Sequence, residues 1–232
     1  MSLAFTLFVA RLTVLSSVVP VIAGLVGLAR RPRPERLLWG FVVVVAGLNI
    51  MIAVLATRGI ATGGISQLFK PLHIGLGVLA TTSMLTLARR RRWLWWAFGG
   101  FMLVWGWRQG MALDAGSPFS TVIAPLGYWL LTACGMFLLI DRLEGSGHPA
   151  PLRDSVVVIA LAMIVGHVVP AMIEPVAQLV WASSRNDVRL LLPPRAIGLI
   201  LSYLLCTVAF LWTNPARSSS GSLSSAPRPS RS

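Results

Sequence analysis

Apolar residues run through this chain in long blocks, separated by short clusters of arginine, proline and glycine. A helix needs about 20 mostly apolar residues to cross a hydrocarbon core, and the blocks have that length. The first, 3–29, is too long for the apolar core of a signal peptide and has no basic segment before it, so it reads as a retained helix. It ends at Arg30-Arg31-Pro32-Arg33-Pro34-Glu35-Arg36, where two prolines stop the helix and four arginines resist burial. Further spans are expected at 37–57, 68–88, 93–111, 119–140, 155–181 and 196–212. Pro71 falls in the first turn of the third, where a missing N–H costs nothing. The predicted fold is an all-α, polytopic membrane helix bundle of about seven transmembrane helices over 1–214. A Ser/Pro/Arg-rich tail, 215–232, is expected to be disordered.

Composition agrees with the pattern. The 232 residues are 56% hydrophobic and 12% charged, about half the charged share of a soluble domain. In a soluble protein a net charge of +13 would suggest nucleic acid. Here the aromatic residues lie inside the spans instead of between the charges, so no nucleic-acid surface is expected and the partner of the apolar faces is the lipid bilayer. Basic residues set topology instead. With the 30–36 loop in the cytoplasm, thirteen arginines fall on that side, against six arginines and Lys70 on the other. The expected orientation is therefore N-out/C-in. The loop before the seventh span, with Arg185, Arg189 and Arg195, goes against the bias. Trp93, Trp95 and Trp96 are expected at one interface, and Trp105 and Trp107 at the other. Nineteen arginines against one lysine suggest a GC-rich genome, and a bacterial inner membrane as the location. Cys134 and Cys206 lie in apolar runs and read as core residues, not a disulfide. Gly106-xxx-Gly110 and Ala23-xxx-Gly27 are expected to allow close helix packing.

An ionisable group inside the membrane is costly and is a functional candidate by default. His167, Ala171, Glu174 and Gln178 recur at helical spacing and form a polar stripe on one face of the sixth span. Pro170 and Pro175 interrupt that helix and free the carbonyls of Gly166 and Ala171. The stripe could line a wet cavity, or His167 and Glu174 could simply bond to neighbouring helices. Lys70, His73, Arg108 and Asp114 form a second polar cluster on the outer side, and Asn49 is expected to bond between helices. No catalytic set is present: the chain has no nucleophile elbow, metalloprotease helix, phosphate-binding glycine loop or zinc-like cysteine pair. The seventh span has no lysine for a retinal Schiff base. His73 and His167 are candidate ligands only if haem is bound. At 1.5 Å per residue their expected depths differ by roughly 5–12 Å, a poor match for one haem.

The expected function is a non-enzymatic regulatory or sensory membrane protein. It would relay a stimulus to a cytoplasmic protein partner through the basic loops and tail. Two alternatives are a haem-binding redox protein using His73 and His167, and a small transporter or permease subunit using the Glu174 stripe. Internal repeats would favour the transporter, and none is visible in the sequence.

Overall fold

The structure, a computed structural model, describes residues 3–60, 62–114, 123–145, 154–183 and 191–212. These form seven long helices: α1 (Leu3–Leu25), α2 (Arg33–Thr57), α3 (Gly63–Met84), α4 (Ala88–Asp114), α5 (Ala124–Gly145), α6 (Ser155–Ser183) and α7 (Leu192–Trp212). The tail expected at 215–232 lies outside the described residues. Each helix matches an apolar block, and the ends follow local chemistry. α1 stops at Leu25, short of Ala29, because Gly27 adopts a left-handed φ of 71° that opens a short 3₁₀ turn, Leu28–Arg30. α2 starts with Pro34 in its first turn.

Among the described residues, α1, α2, α5, α6 and α7 are long and apolar enough on their own to cross a membrane. α3 and α4 are not, for visible reasons. α3 carries Gln67, Lys70 and His73 in its first half, and α4 opens on four arginines. The chain is an all-helical bundle of the membrane-spanning type. Its outer surface agrees with that: Phe5, Phe8, Leu12, Leu15, Val19 and Ile22 form an exposed apolar stripe along α1, as lipid-facing residues do.

Six of the helices close a ring. α1 packs on α2 and α7, α2 on α3, α3 on α5, α5 on α6, and α6 on α7, while α4 lies outside against α3 and α5. The α5–α6 seam is the tightest. A Cβ on Gly135 would come within 2.8 Å of the Ala160 carbonyl oxygen and of Ile164, so only glycine lets these backbones approach. The small-residue pairs expected from sequence do not play this part. Gly106 and Gly110 face open space on α4, and Gly27 lies past the end of α1.

Charged residues clasp one end of the ring. Arg31 donates to the carbonyls of Val26 and Phe210 (3.0 and 2.7 Å) and pairs with Glu35, joining α1, α2 and α7. Arg90 bridges Asp141 (2.9 Å) and Glu144 (2.6 Å), and Asp141 also accepts from the N–H and hydroxyl of Thr86, each at 2.8 Å. This end, where α1, α3, α5 and α7 finish and α2, α4 and α6 begin, is the arginine end below. Trp93, Trp95, Trp96 and Trp107 are exposed as an aromatic belt requires, but Trp105 departs from expectation and turns inward against the core.

Candidate functional site

The ring encloses a cavity of about 350 Å³, lined by α2, α3, α5, α6 and α7. Along α2 the lining extends from Leu38 to Ile52, about 20 Å at 1.5 Å per residue. The cavity is therefore a deep slot parallel to the helices. Its volume is at the small-molecule end of the usual range of about 300–1,000 Å³.

The lining changes character with depth. Near the arginine end it is apolar: Leu38, Phe41 and Val42 from α2, Met163 from α6, Cys206 from α7. Toward the far end polar groups converge from four helices. Glu174 of α6 pairs with Arg195 of α7 at 3.2 Å. Arg195 also donates to the Tyr128 hydroxyl of α5 at 3.4 Å. The Lys70 ammonium of α3 lies 5.2 Å from the Tyr128 ring centre, a cation–π contact. Two cations against one carboxylate leave this rim positive.

Between the two zones a row of four rings crosses the bundle. Phe41 and His73 have centroids 5.3 Å apart, His73 and His167 5.7 Å, and His167 and Tyr128 6.3 Å. His167 Nδ1 lies 2.7 Å from the Met163 carbonyl oxygen one turn earlier, so it carries the proton and Nε2 is left as the acceptor. His73 Nε2 is buried with no hydrogen-bond partner among the described residues. A little farther along the slot, the Asn49 amide donates to the Tyr203 hydroxyl at 2.8 Å, joining α2 to α7. α6 and α7 approach closely because Gly166 leaves room for Ser202: a Cβ there would stand 2.5 Å from the Ser202 oxygen.

The residues singled out from sequence divide into three groups. His167, Glu174, Lys70 and His73 all line this one cavity, so the α6 stripe and half of the outer cluster are a single site. Arg108 belongs to α4, outside the ring, and does not line it. The side chains of Gln178 and Asp114 lie outside the described residues. The depth mismatch expected between the two histidines is wrong. α3 begins at Gly63 instead of near Leu68, which sinks His73 deeper; α6 runs on to Ser183 and so extends past the start of α3 at that end, and the two rings meet with centroids 5.7 Å apart. Sequence reasoning missed Tyr128, Tyr203 and Arg195. A signal existed: the chain has only two tyrosines, and both line the cavity.

Among the described residues no group of three or more His, Cys, Asp or Glu side chains could hold a metal ion. The cavity can take an elongated molecule with an apolar body. It offers that molecule two cations at the rim and imidazole and phenol hydrogen-bond groups along the wall. No known protein family, curated protein or solved structure matches this chain, so the site itself carries the functional reading.

Proposed function

We propose that this chain is a non-enzymatic sensory or regulatory protein of a bacterial inner membrane, spanning it seven times with the N-terminus outside. A small amphiphile with an anionic head enters the central slot, head at Lys70 and Arg195, body toward Leu38 and Cys206. Its binding alters how α6 and α7 pack, and the change reaches a cytoplasmic protein through the arginine end and the tail.

The observation that carries the reading is the convergence of Lys70, His73, Tyr128, His167, Glu174 and Arg195 on one slot. Ionisable groups at membrane depth are retained for function more often than for stability. α6 is suited to transmit a change because Pro170 and Pro175 interrupt its hydrogen-bond ladder beside the cavity. Among the described residues they form an ion pair, a row of rings and a cation–π contact, an arrangement suited to holding a ligand. The topology rests on the arginine bias, with the arginine end facing the cytoplasm.

One test is mass spectrometry of small molecules that copurify with the protein from its own membrane. A compound with an apolar body and an acidic head should be present with wild type. It should be lost with His73→Phe/His167→Phe at unchanged melting temperature. An identical profile from both proteins refutes the reading.

A haem-binding protein is the second reading, favoured by the 5.7 Å approach of the two imidazoles and the Nδ1 anchor on His167. Against it, Phe41 and Tyr128 flank the pair at 5.3 and 6.3 Å and occupy space a porphyrin needs. An absorption spectrum of the purified protein decides between them: a Soret band selects haem.

A further inference from the structure

We infer that the first two turns of α4 form a headgroup site for an anionic phospholipid, built by Arg89, Arg92, Trp93 and Trp96. These four side chains surround a surface pocket of their own, separate from the central slot. They are spaced i, i+3, i+4 and i+7, one face of one helix. α4 stands outside the ring, and this face is exposed among the described residues, free to meet the bilayer.

The run of four arginines looks uniform in sequence, but the structure divides it. Arg90 turns inward to Asp141 and Glu144. Arg91 donates to the Thr86 carbonyl. Arg89 and Arg92 are exposed and make no ion pair among the described residues. Nor do the described residues hold a spare carboxylate for them. Of the five acidic side chains among the described residues, Glu35 pairs with Arg31, Asp141 and Glu144 with Arg90, Asp154 with Arg142, and Glu174 with Arg195. Among the described residues nothing neutralises Arg89 and Arg92, and their exposed face is open to an anion from outside.

The neighbours identify that anion as a lipid. Trp93 and Trp96 are 61% and 78% exposed on the same face, at the end of a membrane helix. Indole rings favour the headgroup level, where the apolar ring meets acyl chain and the N–H meets phosphate. Two guanidinium forks one turn apart match the oxygens of a phosphodiester, which each fork can hold in a bidentate manner. A soluble phosphate would leave both indoles without a role. Phosphatidylglycerol supplies an anionic phosphate and the apolar body together. The site uses none of the cavity residues and stands or falls independently of the ligand reading.

The test embeds the full chain in nanodiscs of equimolar phosphatidylglycerol and phosphatidylcholine and measures by mass spectrometry the lipids retained after graded detergent stripping. Wild type should retain phosphatidylglycerol preferentially. Arg89→Gln/Arg92→Gln should reduce the preference by about thirtyfold, from about 1 kcal/mol for each arginine at an anionic surface. Arg33→Gln/Arg36→Gln, at the same end of the bundle, should leave it intact. An unchanged ratio in the first variant, or an equal loss in the second, overturns the site. Because neutralising α4 could disturb insertion, Trp96→Leu supplies a charge-preserving check. Bromine-labelled phosphatidylglycerol should quench wild-type fluorescence more than bromine-labelled phosphatidylcholine does, and Trp96→Leu should remove most of that difference. A difference that survives Trp96→Leu also overturns the proposal.

Discussion

Replacing Glu174 by glutamine keeps the shape of the rim and removes its one carboxylate among the described residues. Arg195, 3.2 Å away, then loses its counter-charge and keeps only the Tyr128 hydroxyl. At that distance and an effective dielectric of 20 the Coulombic attraction is about 5 kcal/mol, before desolvation of both groups is subtracted. The side chains of Glu174 and Arg195 are 16% and 36% exposed. The pair thus falls between a surface bridge, worth about 0–1 kcal/mol, and a buried one, whose disruption costs about 3–5 kcal/mol. A coupling of about 1–3 kcal/mol is expected, at about 2–4 °C of melting temperature per kcal/mol for a chain of this size. The assay is a double-mutant cycle in nanodiscs with Glu174→Gln, Arg195→Gln and both together. Each single variant should melt lower, and the double variant should recover part of the loss, since it leaves no unpaired charge. Additivity within about 0.5 kcal/mol would refute the pairing. The ligand should respond differently: Arg195→Gln should weaken its retention and Glu174→Gln should not, because the proposed head is an anion.

Other outcomes follow from packing and charge. Gly135→Ala pushes a methyl into the Ala160 carbonyl and Ile164 and should cost about 1–3 kcal/mol by overpacking, measured by thermal unfolding. Gly106→Ala on the open face of α4 should be close to silent in the same measurement. Asp141→Asn, which weakens bonds from Thr86 and Arg90 at once, should lower the melting temperature more than Glu144→Gln, whose side chain is 60% exposed. Alkaline phosphatase fusions near Arg92, near Ala115 and after Asn214 should be inactive, active and inactive. Activity from the last would mean an even number of crossings.

The helices were readable because lipid leaves few alternatives: a run of 20 apolar residues must satisfy its own backbone, and arginine–proline clusters must stay out. The shared face of His167 and Glu174 was readable because a helix repeats every 3.6 residues. Their neighbours were not. Periodicity orients a residue on its own helix and says nothing about which other helix stands opposite. Tyr128 and Arg195 therefore became visible as site residues only once α5 and α7 were packed beside α6. The place of α4 outside the ring was hidden for the same reason. Its glycine pair resembled a contact, while the true close approach at Gly135 stands in no small-xxx-small pair with another glycine.

The central claim is that the ring holds an open slot reaching from the Lys70–Arg195 rim past the histidines. Ser202 lines that slot beside Gly166, whereas Cys134 is fully buried between helices away from it. In the Ser202→Cys/Cys206→Ala protein Cys134 is the internal control. A small, membrane-impermeant thiol reagent added from the Lys70–Arg195 side should modify the introduced thiol at least about tenfold faster than Cys134, as accessibility dictates. Equal, negligible labelling of both thiols in a correctly folded protein would mean that no open slot exists, and would contradict the ligand-binding reading at its base.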